Sequence, residues 1–261
     1  MSATSDREGL RVVFPPDLSS RLKAAMGAFW SVRHSQQVAQ GGEGGKDRGA
    51  RSAVTGGKQM DGFASLIVDL LRANGVPHAS IFLDKAVQLP GYFRPTKKWD
   101  LLVVHRGQLL AALELKSQVG PSFGNNFNNR TEEAVGSATD IWTAYRENAF
   151  GHIRRPWLGY LFLLEDCPQS RCPVSVQEPH FPVFSEFKDA SYAVRYEEMC
   201  RRLVREGLYT EAAFLLSKRG DVRGDTLVEP ARDLCFAPFA QSLLFSVGVS
   251  LRSLGEGPKG P

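Results

Sequence analysis

The stretch WDLLVVHRGQLLAALELKSQ, from Trp99 to Gln118, decides the fold. Two apolar runs, roughly Trp99 to Val104 and Leu109 to Lys116, flank an Arg-Gly turn, which is the pattern of two paired strands. Among the leucines and valines stand Asp100, Glu114 and Lys116. Charge in an apolar strand is costly unless it reaches water or finds a partner. Either these groups lie at strand ends in solvent, or they form a site. Residues two apart on a strand share a face, so Glu114 and Lys116 project together. Asp100 joins them if the pairing register permits. Two converging carboxylates make a hard, oxygen-rich site suited to Mg²⁺. A neighbouring ammonium can then orient an attacking water while the metal stabilises charge building on a phosphate.

Register is therefore the first structural question. A regular hairpin with Arg106-Gly107 as a two-residue loop sets Asp100 opposite Leu113 and leaves Glu114 and Lys116 on the other face. A three-residue loop, His105-Arg106-Gly107, pairs Val104 with Gln108 and brings Asp100 and Glu114 to one face. Such loops favour a left-handed third residue, where glycine falls. The expectation is the odd-length loop with Gly107 at positive φ, or a bulge near Asp100 that restores the same parity.

Outward from this pair, Leu18 to Val38 carries apolar residues at helical spacing and leads into the basic, glycine-rich QGGEGGKDRGARSAVTGGK, Gln40 to Lys58. From Gln59, residues Phe63, Leu66, Ile67, Leu70 and Leu71 mark an amphipathic helix stopped at Asn74-Gly75. A strand is expected around Ser80 to Leu89. After the central pair, the loop GPSFGNNFNNR leads into a helix from about Thr131 to Tyr145, with Asn129 and Glu132 resembling a capping box. PWLGYLFLLED reads as a strand buried on both faces. Ala190 to Glu206 and Tyr209 to Lys218 read as two further helices, and GEGPKGP closes the chain as a frayed tail. Three units follow: 1–58, an N-terminal helix and basic loop; 59–165, the core; and 166–261, a helical extension packed on that core.

The order helix, three strands, helix, strand, with Asp100, Glu114 and Lys116 at strand edges, resembles the PD-(D/E)xK nuclease superfamily. Trp99 stands where that superfamily often has proline. LPGYFRPTKKWDLLVV, LELKSQVGPSFGNNFNNRTEEA and TGGKQMDGF narrow the likeness to the XhoI-type type II restriction endonucleases, from about Lys46 to Tyr160 and on through the C-terminal helices. The resemblance implies an α/β core with added terminal helices and a Mg²⁺-dependent homodimer cutting both strands of a palindromic duplex, with CTCGAG as the family's site. It implies that Asp100 and Glu114 bind metal, that Lys116 acts at the water, and that a companion DNA methyltransferase exists in the same host. Asp61, near the start of the helix from Gln59, is a candidate third carboxylate; alternatively it stabilises the helix dipole.

For DNA contact the candidates are Arg48, Arg51 and Lys58 in the basic loop, and Asn125, Asn126, Asn128, Asn129 and Arg130 after the second strand. Asn and Arg read base edges and hold phosphates, although either segment could equally be a solvated loop. The excess of 32 Lys and Arg over 28 Asp and Glu permits a nucleic-acid partner without requiring one. TGGK is no P-loop, because Ser52 replaces the first glycine and Gln59 the final Ser or Thr. Cys167, Cys172, Cys200 and Cys235 fit neither a disulfide scaffold nor a familiar zinc spacing. His105 is expected as an exposed turn residue. No run suits a membrane span or secretion signal, so a cytoplasmic location is expected. Two other functions fit the same residues: a repair or recombination nuclease of low specificity, and a DNA-binding module without catalysis.

Overall fold

In the computed structural model, residues 11–41, 58–151 and 154–255 are described. A mixed five-stranded sheet lies between two layers of helices, in the strand order β1-β4-β5-β6-β7. Its strands are β1 (Ile81–Leu83), β4 (Leu101–His105), β5 (Gln108–Gln118), β6 (Trp157–Glu165) and β7 (Glu211–Ser217). Pairing is antiparallel from β1 through β5 and parallel from β5 through β7. A separate hairpin, β2 (Gln88–Pro90) with β3 (Thr96–Lys98), precedes β4. Helices α1 (Leu18–Gly41), α2 (Asp61–Ala73) and α5 (Phe236–Ser253) cover one face of the sheet. Helices α3 (Phe123–Arg146) and α4 (Tyr192–Arg205) cover the other. No helix among the described residues is long and apolar enough to cross a membrane.

The expected helix from Gln59 is α2, preceded by a turn at Lys58–Met60 and ended before Gly75 at φ +81°. Four expectations need correction. The strand around Ser80 to Leu89 is broken into β1 and β2, because Asp84 and Ala86 take positive φ between them. The segment Tyr209 to Lys218 contains strand β7, not a helix. Ala212, Phe214 and Leu216 pack on one face and Ala213 and Leu215 on the other. A short apolar run of this kind has no decisive period. The C-terminal segment thus contributes a strand to the main sheet.

Helix α3 starts at Phe123, well before Thr131, so Asn129 and Glu132 lie inside it and form no capping box. Asn and Gly are poor helix formers. Tertiary anchoring overrides them: the Phe123 ring stacks on Tyr192 at 5.8 Å, and Phe127 meets Tyr196 edge-on at 5.0 Å. Finally, His105 is buried, its Nδ1 2.7 Å from the Ser80 hydroxyl.

The central hairpin meets its parity requirement by the second route. His105 pairs with Gln108, so the loop has two residues, Arg106 and Gly107, at φ +49° and +75°. Two positive φ values match the twist of a tight hairpin. The three-residue loop is therefore not formed. Between Val103 and Val104 the register shifts, and Leu110 is the extra residue on β5. Beyond this bulge Leu101 faces Leu113 and Leu102 faces Ala112. Asp100, Glu114 and Lys116 then share the face that carries Leu102 and Ala112, toward α3 and α4.

Gly159 in β6 offers a test of this packing. A Cβ there would come within 2.3 Å of the Trp157 ring and 3.0 Å of Phe239. Gly159→Ala should destabilise the protein by about 1–3 kcal/mol through overpacking. A lowered urea midpoint with unchanged slope would register it.

Candidate active site

The β4–β5 register turns Glu114 into the interior, where it is 1% exposed. A carboxylate so far from water is tolerated only if all its lone pairs are occupied. Glu114 Oε1 accepts from Lys97 Nζ at 2.9 Å and lies 3.1 Å from Lys116 Nζ. Its Oε2 accepts from the Tyr209 hydroxyl at 2.9 Å. Lys97 comes from β3, where its ammonium also sits 4.6 Å from the centre of the Trp99 ring. The buried Trp99 in the place of proline thus packs beneath a cation of the site.

Lys116 bridges onward to Glu133 on α3, 2.8 Å from Oε1, and Arg130 holds the other Glu133 oxygen at 2.6 Å. Burial alone would lower the Lys116 pKa. The carboxylates of Glu114, Glu133 and Asp100 outweigh it and hold the ammonium above the ordinary lysine range. Lys116 is therefore a charged donor, suited to orienting a water or a phosphate oxygen rather than to removing a proton. Tyr160, paired with Glu114 across β5 and β6, and Tyr209 are both driven well above the usual phenol range, first by burial and then by Glu114.

Asp100 accepts the Leu115 backbone N–H through Oδ2 at 2.7 Å. Burial pushes its carboxyl above the ordinary range; Lys116 and the Leu115 N–H oppose this, and Glu114 reinforces it. Asp61 is raised too, first by burial and then by Asp84, with Asp100 adding to the effect and Lys58 opposing it. Asp84 follows Leu83, which pairs with Leu101, the neighbour of Asp100. Asp61 thus feels the charge of both Asp84 and Asp100. Among the described residues, no three His, Cys, Asp or Glu side chains are grouped closely enough to enclose a metal. Mg²⁺ does not require such a cage, since it commonly takes one or two carboxylates and completes its shell with water and substrate phosphate. Asp100 and Glu114 would supply hard carboxylate oxygens for that mode, Glu114 by exchanging an ammonium contact at Oε1 for the ion.

The remaining candidates are dispersed around this centre. Asn125, Asn128 and Asn129 are exposed on the first turns of α3, while Asn126 and Arg130 are half-buried. Lys58 is exposed at the entry to α2. Arg48 and Arg51 lie outside the described residues. The four cysteines are free thiols. Sequence reasoning missed Lys97, Glu133, Tyr209 and Asp84. Lys97 could have been found from its place two residues before the buried Trp99; the other three carry no local signal.

The family model described as "Restriction endonuclease XhoI" matches residues 39–228. The type II restriction enzyme BstVI of Geobacillus stearothermophilus is 60% identical over 209 residues, covering 78% of this chain and 93% of that protein. The type II restriction enzyme XhoI of Xanthomonas vasicola is 46% identical over 218 residues, covering 81% and 84%. AbrI of Azospirillum brasilense, also a type II restriction enzyme, is 52% identical over 166 residues, covering 63% and 74%. No solved structure matches the chain.

The raised Asp100 pKa has a consequence for stability. A carboxyl that binds its proton more tightly when folded contributes stability at low pH, which is lost as pH rises from the ordinary 3.8 through the folded value. At neutral pH, without a bound cation, the ionised group burdens the fold. Asp100→Asn keeps an oxygen for the Leu115 N–H and removes the charge. Its thermal midpoint in excess chelator at neutral pH should lie above that of the parent. A lower midpoint would mean that the pairings with Lys116 and Lys97 outweigh burial.

Proposed function

Since the chain belongs to the XhoI family of restriction endonucleases and is a type II site-specific deoxyribonuclease, we propose that Asp100, Glu114 and Lys116 are its catalytic centre, in a PD-(D/E)xK arrangement. The observation that carries this is the bulge at Val103 and Val104, which sets all three residues on one face. Without a functional demand, a buried Glu114 held by two ammonium groups is a poor use of a strand position.

Asp100 and Glu114 would hold Mg²⁺, with Asp61 as a further contributor through water. The metal would supply Lewis-acid stabilisation of charge on the scissile phosphate and acidify a bound water. Lys116, kept protonated by Glu114 and Glu133, positions the attacking water and donates to a phosphate oxygen. Tyr209 and Lys97 hold Glu114 in place while Lys116 engages substrate. Lys58, Arg48 and Arg51 grip backbone phosphates, and Asn125, Asn126, Asn128, Asn129 and Arg130 bring donors and acceptors to the groove from the start of α3. A palindromic site, CTCGAG, read by a homodimer with one centre per strand, completes the reading. So does a cytoplasmic setting with a companion methyltransferase protecting host DNA.

Asp100→Ala, Glu114→Ala and Lys116→Ala should each abolish Mg²⁺-dependent cutting of plasmid DNA. Sequencing of the ends made by the parent should return one palindrome. Substantial cleavage by any of the three variants would overturn the centre. Lys58→Ala and Arg51→Ala should each lower the slope of log affinity against log salt by about one, the loss of one phosphate contact. An unchanged slope in both would remove the loop from the interface.

A further inference from the structure

The β2–β3 hairpin carries two large apolar side chains into solvent at its tip. Tyr92 is 53% exposed and Phe93 71%, with the rings edge to face at 5.0 Å. Exposed aromatics on a floppy loop would mean little. This loop is held from beneath by Asp140 of α3, which is 3% exposed. Asp140 Oδ1 accepts the backbone N–H groups of Tyr92 at 2.7 Å and Phe93 at 2.8 Å, and Oδ2 accepts from Arg94 Nε at 2.7 Å. Gly91 allows the approach, since a Cβ there would come within 2.6 Å of Asp140 Oδ2. A buried carboxylate is thus committed to fixing the position of two largely exposed rings.

The same hairpin enters the catalytic cluster. Lys97 of β3 reaches Glu114, and Asp100 follows two residues after β3 ends. On the other side, Glu133 and Asp140 stand on one helix, about 10 Å apart at 1.5 Å per residue. The tip is therefore held in a fixed position relative to the Asp100, Glu114 and Lys116 cluster.

We propose that the Tyr92–Phe93 tip contacts the bases of the DNA duplex to one side of the cleaved bond, with the Phe93 ring set against or between them. Apolar side chains on DNA-bound proteins do this at base steps. The hairpin carries the exposed Arg94 beside the rings, paired through Nε with Asp140, and the exposed Lys98 at the other end of β3, and this basic character favours a polyanion over a second copy of the chain. Two rings also fall short of the roughly 800 Å² per partner that a stable dimer needs, and a two-fold contact would bring the arginines together. The inference rests on Asp100, Glu114 and Lys116 being the nuclease centre.

Phe93→p-benzoylphenylalanine, irradiated in chelator with a labelled duplex carrying the enzyme's own cleavage site, should give a protein–DNA adduct mapping to bases on one side of the cleaved bond. Phe93→Ala should weaken binding of this duplex roughly tenfold, the scale of one lost aromatic–base contact, at unchanged thermal midpoint. An adduct joining two protein chains, no adduct in a variant that still cuts, or unaltered binding by Phe93→Ala would each overturn the proposal. Asp100→Ala run in parallel keeps the two readings apart: its cutting would refute the centre, whereas the cross-link judges DNA contact by the tip.

Discussion

The buried charge of Glu114 is the constraint around which the molecule is arranged. Withdrawing a carboxylate from water costs several kcal/mol even after relaxation, and the cost is offset only when its partners are all in place. Those partners come from separate parts of the chain: Lys97 from β3, Lys116 from β5 and Tyr209 from the residue pair before β7. Lys116 in turn engages Glu133 of α3. One carboxylate thereby ties the hairpin, the central sheet and the covering helix together. The arrangement also leaves Lys116 shared between two acids, while Glu114 keeps Lys97 and Tyr209 as partners besides Lys116.

That constraint is met only because the hairpin is irregular. A two-residue turn with unbroken pairing would have put Glu114 and Asp100 on opposite faces. The extra residue at Leu110 corrects the parity close to the turn, and the strands then run in register to the site. At the far end Asp100 leaves regular pairing: its N–H bonds to Leu113 O, and its side chain takes the Leu115 N–H. The carboxylate is oriented by the neighbouring strand's backbone.

Much of this was legible in residues 99–118, where charge at fixed spacing in apolar strands leaves few physical explanations. The parity condition was legible as well, since face assignment follows from counting, although the choice between loop and bulge was not. Helix α2 announced itself by period and by its Asn-Gly stop. Local pattern failed wherever distant residues decide. The start of α3 depends on Tyr192 and Tyr196, which lie far along the chain from Phe123 and Phe127. Strand β7 looks helical until β6 is beside it. Tyr209 and Glu133 join the site through the fold alone, and the tight Pro-Gly-to-Pro loop hid a hairpin that Asp140 holds.

The electrostatics of this edge are uneven: burial holds the carboxyls of both Asp61 and Asp100 above their usual range, with Asp84 and Asp100 adding to it at Asp61 and Glu114 at Asp100. Nearby, the N-terminus of α2, which begins at Asp61, bears the partial positive charge of a helix start. Arg33 reaches Gln59, which donates to Ser117 beside Lys116; burial and the nearby Arg219 depress the Arg33 pKa, against the pull of Glu165. Arg219 itself is clasped by the buried Glu165, which also accepts the Gly120 N–H at the approach to α3. The Arg219 charge is thereby matched within the fold, on the β5 face opposite Lys116, whereas burial leaves the carboxyls of Asp61 and Asp100 only partly offset. On the proposed reading, a divalent cation and a phosphodiester backbone would each offset charge that the other leaves, so binding of each would strengthen the other.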